Sequence, residues 1–182
     1  MKTIILDRDG VINVDSALYI KSPAEWKPIE GSLQAIARLN QAGYCVIVAT
    51  NQSGIGRGLF DMDTLNAMHE KMHKQLAAVG GRIDAIFYCP HTADEQCGCR
   101  KPKPGMFERI AKVYNMDLQG VPTVGDSLRD LQAGSAAGCM PMLVRTGKGE
   151  KTEAEGNLPK GTTVHDNLAA AVDALLSKSA SK

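Results

Sequence analysis

Short runs of β-branched and aliphatic residues alternate with stretches of helical apolar spacing throughout this chain of 182 residues. That alternation is what βαβ units require, and it commits the chain to a parallel sheet covered by helices. Thr3 to Leu6 opens the series as a strand. Leu33, Ile36, Leu39 and Asn40 recur at helical spacing, Gly43 closes that helix, and Tyr44 to Ala49 follows as an almost continuous apolar strand buried on both faces. Asp61 caps a helix reaching Val79, Ile83 to Tyr88 is the next strand, and Pro104 stands in the first turn of a helix ending near Asn115. Val121 to Val124 is a strand, Ser127 to Ala137 a helix, Met140 to Val144 a strand, and Asp166 to Ser177 a last amphipathic helix with Asp166 as its N-cap. Ala24 to Gly31 and Arg145 to Thr163 read as loops. The length suits one α/β domain, a Rossmann-like parallel-sheet sandwich over residues 1–177, with 178–182 as a flexible tail.

Charge narrows the partners. The net charge is +1, with acids and bases interspersed, so nothing marks the chain for nucleic acid or an anionic membrane surface. No segment is apolar for long enough to span a bilayer, and the few apolar residues before Asp7 fall short of a signal peptide. A cytoplasmic monomer acting on a small molecule is the expectation. Its thiols then stay reduced, so the five cysteines need an explanation other than disulfides.

Three strands end in polar residues as they enter a loop: Asp7 and Asp9, then Thr50 and Asn51, then Asp126. Ligand sites of open parallel sheets lie beyond the carboxyl ends of the strands, so residues far apart in sequence converge there. Asp7 and Asp9, two apart in extended chain, point one way and Arg8 the other. Their repulsion is relieved either by a divalent cation or by a retained proton, and both serve phosphoryl transfer. Asp126 supplies a third hard oxygen, a set that suits magnesium. Lys101, heading KPKPG, can neutralise a phosphoryl group whose oxygens the Thr50 hydroxyl and Asn51 amide bind. Each element alone has an ordinary reading: a turn aspartate, a helix cap in GDSLRD with Asp130 on a solvated face, a surface lysine. The ordered set does not.

Cys89, His91, Cys97 and Cys99 fall within one short stretch, three thiols and an imidazole. This is either a closed tetrahedral zinc site or a cluster of free, oxidisable thiols. Cys45 and Cys139 read as buried apolar residues.

Four stretches, LDRDG, ATNQSGIGRG, CPHTADEQCGCRKPKPGM and VGDSLRDLQA, resemble the four motifs of the haloacid dehalogenase superfamily of aspartate-nucleophile phosphatases. Within it they are most similar to the heptose-bisphosphate phosphatase branch, close to the histidinol phosphatases. The resemblance implies Asp7 as nucleophile and Asp9 as general acid and base. It implies magnesium held by the Asp7 and Asp126 side chains and the Asp9 backbone carbonyl, with Thr50, Asn51 and Lys101 on the phosphoryl group. It places Asp15, Ser16, Ala17 and Leu18 over the substrate as a flap, with Gln52, Ser53 and Arg100 lining the site. Its members carry the same Cys and His quartet, which favours structural zinc in a loop over 89–103. The loop takes the place of a cap domain, for which the chain has no room, and positions Arg100 and Lys101 directly after the last ligand. Ser127 departs from many relatives, which have lysine there.

The expected activity is magnesium-dependent removal of the C7 phosphate of a heptose 1,7-bisphosphate, on the route to nucleotide-activated heptose. Histidinol-phosphate hydrolysis is the nearest alternative. A phospho-acceptor receiver domain or a zinc-stabilised binding module are rivals of other classes, and Asp9 argues against a receiver because it would hasten hydrolysis of the acyl phosphate. Two further patterns mislead. HEKMH at 69–73 matches the zinc-protease signature, but Leu65, Met68, Met72, Leu76 and Val79 form the apolar stripe of that helix, which places His69 and His73 beside it at the surface. GIGRG follows the wrong strand, with the wrong spacing, for a dinucleotide fingerprint; its Arg57 is available to a second substrate phosphate.

Overall fold

In the computed structural model, which describes residues 1–180, a six-stranded sheet runs in the order β3-β2-β1-β4-β5-β6, and every pairing is parallel. The first half of the chain comprises β1 (Lys2–Leu6), α1 (Ser32–Gln41), β2 (Tyr44–Asn51), the single turn α2 (Ser53–Gly56), α3 (Met62–Ala78) and β3 (Ala85–Cys89). The second comprises α4 (Gly105–Tyr114), β4 (Pro122–Gly125), α5 (Leu128–Ala136), β5 (Met140–Val144), α6 (Gly149–Glu155), β6 (Thr163–His165) and α7 (Leu168–Ala180).

The continuous apolar runs of β1 and β2 resolve into two faces. Ile4, Leu6, Val46 and Val48 enter a core with residues of α1, α3 and α7, whereas Ile5, Ile47 and Ala49 face the opposite core with Met106, Phe107 and Ile110 of α4. Side chains alternate along a strand, so covering both faces demands apolar residues at every position. Each fully buried aliphatic side chain contributes about 1.5–3 kcal/mol, which fixes the register Lys2↔Tyr44 to Leu6↔Val48.

Successive strands step outward in one direction through β2 and β3 and in the other through β4, β5 and β6. The reversal lies between β1 and β4, where the Asp7 amide donates to the Val124 carbonyl at 2.9 Å. This is the switch point at which doubly wound sheets open a crevice beyond their carboxyl ends.

The segment Arg145–Thr163, read from sequence as a loop, contains α6 and the start of β6. GEKTEAE carries no apolar stripe, and β6 is three residues long, too short for a periodic signal. The last helix is capped by Asn167, whose side chain accepts from the Ala170 amide at 2.9 Å, and not by Asp166. Asp166 pairs instead with Arg145. α7 passes residue 178, where the sequence reading placed a tail, and reaches Ala180; residues 181–182 lie outside the described residues. Cys139 is buried as expected, whereas Cys45 is only half-buried. Among the described residues no helix is long and apolar enough to cross a membrane.

Candidate active site

Asp7 and Asp9 follow β1, Asn51 ends β2 with Gln52 and Ser53 after it, and Asp126 follows β4, so the crevice collects them without any long-range coincidence. All of them, with Asp15, Ser16, Ala17, Arg100 and Lys101, line a cleft of about 320 Å³. Leu18 is exposed and faces a neighbouring groove. Thr50 is fully buried beneath the cleft floor, where its hydroxyl accepts from the Gln52 side-chain amide at 3.0 Å.

Lys101 is almost fully buried, and its ammonium reaches Asp7 Oδ1 at 3.1 Å, Asp130 Oδ1 at 2.7 Å and the Ala49 carbonyl at 2.7 Å. Three acceptors for three N–H groups make the buried cation affordable, and the two carboxylates outweigh burial to raise its pKa. Asn51 clamps the same residue through its backbone: the Lys101 amide donates to Asn51 Oδ1 and Asn51 Nδ2 donates to the Lys101 carbonyl, each at 3.1 Å.

Asp130 is the site member that sequence reasoning missed, since it was read there as a solvated helix residue. It is buried, it accepts from the Ser127 amide and hydroxyl at 3.0 and 2.8 Å, and burial is outweighed by Lys101, which holds its pKa down to about 2. The signal was its place one turn after Asp126 in GDSLRD. Burial, then the charge of Asp130, pushes Asp7 up to about 7, against the pull of Lys101. Asp126 rises to about 8 through burial, Asp130 and Asp7.

Asp126 is held from behind by a loop. The Lys148 amide donates to its Oδ2 at 2.9 Å, and the Thr146 hydroxyl donates to the Gly10 carbonyl at 2.6 Å. A Cβ on Gly10 or Gly147, both with positive φ, would sit 2.1 or 2.2 Å from Asp126 Oδ2, so only glycine lets the two turns close on this carboxylate.

Asp9 differs from its neighbours. Its Oδ1 accepts from Arg8 Nε at 3.0 Å, Arg8 Nη2 at 2.8 Å and Asn13 Nδ2 at 2.9 Å, and its Oδ2 accepts from Gln52 Nε2 at 3.0 Å. Burial alone would raise its pKa, but the Arg8 charge and these donors lower it. Strand alternation would turn Arg8 away from Asp9, but β1 ends at Leu6, and in the bend that follows the fully buried Arg8 guanidinium folds back onto the Asp9 carboxylate. Its Nη1 lies 3.2 Å from His69 Nε2 on α3. His69 is therefore not on the surface beside the apolar stripe but buried, because the guanidinium needs an acceptor there. Burial and then the Arg8 charge drive its pKa down to about 3. A neutral imidazole spent on Arg8 is no partner for His73 in a protease-type zinc site.

Asp7, Asp126 and Asp130 bring carboxylate oxygens within 4.8 Å of one another. With Asp130 engaged by Lys101 and Ser127, Asp7 and Asp126 remain as hard ligands whose pKa values are raised by burial first and by neighbouring carboxylates second. This donor set fits a divalent cation such as magnesium. In the loop after β3, Cys89 Sγ lies 3.6 Å from Cys97 and 3.1 Å from Cys99, and Cys97 lies 3.6 Å from Cys99. His91 Nδ1 is 3.5 Å from Cys89 and 3.4 Å from Cys99. Tetrahedral zinc with bonds of about 2.3 Å sets its sulfurs about 3.8 Å apart, close to the two 3.6 Å separations and wider than the 3.1 Å one, so the quartet is compatible with a closed zinc site, and every pair is too open for a disulfide.

Residues 98–171 match a family model described as HAD-hydrolase-like. The D-glycero-beta-D-manno-heptose-1,7-bisphosphate 7-phosphatase of Bordetella bronchiseptica is 62% identical over 97% of this chain and 98% of its own length. The protein of the same name from Pseudomonas aeruginosa is 54% identical over 95% of this chain and 97% of its own. The crystal structure of the B. bronchiseptica D,D-heptose 1,7-bisphosphate phosphatase, complexed with magnesium and phosphate, superposes with a TM-score of 0.97 over 98% of this chain and 99% of that one. That of the Burkholderia thailandensis phosphatase, 58% identical, gives 0.79 over 97% and 99%.

Proposed function

This chain belongs to the family of D-glycero-beta-D-manno-heptose-1,7-bisphosphate 7-phosphatases, and from that premise we propose that it hydrolyses the C7 phosphate of the bisphosphate through an aspartyl phosphate on Asp7. The observation that carries the reading is the placement of Asp7 and Asp9 in one cleft with a buried ammonium beside Asp7. Asp7 Oδ1 is occupied by the Arg8 amide at 2.8 Å and by Lys101 at 3.1 Å, so the carboxylate is fixed in orientation. One of its oxygens attacks phosphorus as the bond to the C7 oxygen breaks, and Asp9 gives that oxygen a proton. A water molecule then attacks the phosphorus of the acyl phosphate and gives its proton to Asp9. Inorganic phosphate leaves and the Asp7 carboxylate is regenerated.

Arg8, Asn13 and Gln52 hold Asp9 ionised in the free protein, ready as the base. An incoming phosphate dianion raises its pKa by like-charge repulsion, which is the condition for its turn as the acid. Magnesium would be held by the Asp7 and Asp126 carboxylates and the Asp9 carbonyl, and would supply charge neutralisation on the phosphoryl oxygens. Asn51 and Lys101 face those oxygens, and Thr50 acts from below through Gln52. Arg57, Arg100, Arg129 and Lys148 on the cleft walls suit a second phosphate. Asp15, Ser16 and Ala17 form the flap, which Lys148 meets at 3.5 Å from Asp15. Zinc on Cys89, His91, Cys97 and Cys99 would lock the loop that presents Arg100 and Lys101. Open thiols agree with a cytoplasmic location, and a monomer suffices, since one chain supplies the whole cleft. The heptose 1-phosphate product leads to nucleotide-activated heptose.

The test is turnover of the two anomers of heptose 1,7-bisphosphate and of histidinol phosphate with magnesium present. A kcat/KM at least about a hundredfold higher for the bisphosphate is expected, since it alone brings a second phosphate to the cations on the cleft walls. Equal or better use of histidinol phosphate contradicts the assignment.

A further inference from the structure

Asp9 reaches its position through a chain of buried contacts that begins on α3. The Arg8 guanidinium is fully buried and gives Nε and Nη2 to one carboxylate oxygen of Asp9, while Asn13 donates to the same oxygen. Oδ1 is thus saturated, and Oδ2, with Gln52 as its donor, is the oxygen left to exchange a proton in the cleft. The remaining arm of the fork, Nη1, meets His69 Nε2 at 3.2 Å. A guanidinium only donates, so His69 accepts through Nε2 and carries its proton on Nδ1. Such a fork is planar and rigid, and fixing one arm fixes the plane in which the other two meet Asp9.

We propose that His69 is a positioning residue for phosphoryl transfer: by accepting from Arg8 Nη1 it orients the guanidinium that aims Asp9 Oδ2 at the leaving oxygen. This rests on the reading of Asp9 as the general acid. Loss of the acceptor leaves a buried donor unsatisfied, and the guanidinium turns to find another, carrying Asp9 with it. The consequence falls first on proton delivery, because the guanidinium that His69 meets bonds the Asp9 carboxylate, whereas Asp7 is met by the Arg8 backbone amide.

The leaving group exposes that consequence. Expulsion of a sugar alkoxide needs a proton, whereas p-nitrophenolate leaves with little help, and kcat/KM reports the first transfer step, before the acyl phosphate is hydrolysed. The variants are His69→Met, which has no strong acceptor, and His69→Gln, which keeps one at similar bulk and helix propensity. His69→Met is expected to lower kcat/KM for heptose bisphosphate about tenfold while changing that for p-nitrophenyl phosphate less than about twofold, and His69→Gln to recover most of the loss. Thermal unfolding of both variants accompanies the kinetics. Equal losses on the two substrates, or equal behaviour of Met and Gln variants, overturn the proposal. Should His69→Met fail to fold, the His69→Gln variant decides alone: a loss on both substrates overturns the proposal, and near-native ratios sustain it. Asp9→Asn serves as the reference. If it too slows both substrates equally, Asp9 is not the acid and the underlying reading fails. If it discriminates and His69→Met does not, only the present inference fails.

Discussion

Removing the charge of Lys101 leaves the half-buried Asp7 and the buried Asp130 facing each other without a cation. Lys101→Met should therefore destabilise the protein by about 3–5 kcal/mol in denaturant titrations, despite the apolar replacement, and abolish turnover. Asp9→Asn should keep the fold and lower kcat for the sugar bisphosphate by about 10²–10⁴-fold. His69 supplies a pH prediction of definite sign. Its folded pKa, about 3, lies below the ordinary 6.5, so below 6.5 the unfolded chain binds the extra proton. Its contribution to stability is present above pH 6.5 and is lost as the pH falls toward 3. The difference in unfolding free energy between wild type and His69→Gln should shift in that window, and a difference flat from pH 7 to 4 would contradict it. At this scale Asp7, Asp9 and Asp126 were legible because they sit where strands end. Asp130 and His69 were not, because a charged or polar residue at a helical position reads as solvated unless its partner is known, and Arg8 was not, because strand alternation turns it away from Asp9; the partners lie up to 61 residues away.

Among the elements, the loop after β3 is the one whose order should depend on a metal. Stripping zinc should lower the melting temperature and weaken activity together, because Lys101 follows Cys99 by two residues: release of the quartet frees the loop on one side of it, leaving its backbone tied by the Asn51 side chain and its ammonium by Asp7, Asp130 and the Ala49 carbonyl. Cys97→Ser should reduce zinc content measured by mass spectrometry of metals; a full equivalent of zinc at unchanged stability would dismiss the quartet. Strands and long helices were readable because burial on two faces or on one stripe leaves a periodic record, as in Tyr44 to Ala49 or in α3. α6 and β6 leave none. α6 is held by the Thr152 hydroxyl, which donates to the Asp126 carbonyl at 2.8 Å, and β6 by pairing with β5, and both are tertiary facts.

For the molecule as a whole, the cleft stores negative charge that a cation releases. Asp7 and Asp126, raised to about 7 and about 8, bind protons more tightly folded than unfolded. Without added magnesium they therefore destabilise the fold progressively as pH rises from about 4 to 8. Magnesium competes with those protons, so it should raise the melting temperature more at pH 8 than at pH 6; the reverse order would contradict this account of the site. The central claim is a covalent bond between Asp7 and phosphorus. Rapid acid quench during turnover, followed by mass spectrometry of proteolytic peptides, should find one phosphoryl group on the peptide that contains Asp7, and none in Asp7→Asn, which should be inactive. Full turnover with no phosphorylated peptide, or hydrolysis undiminished in Asp7→Asn, would contradict the account.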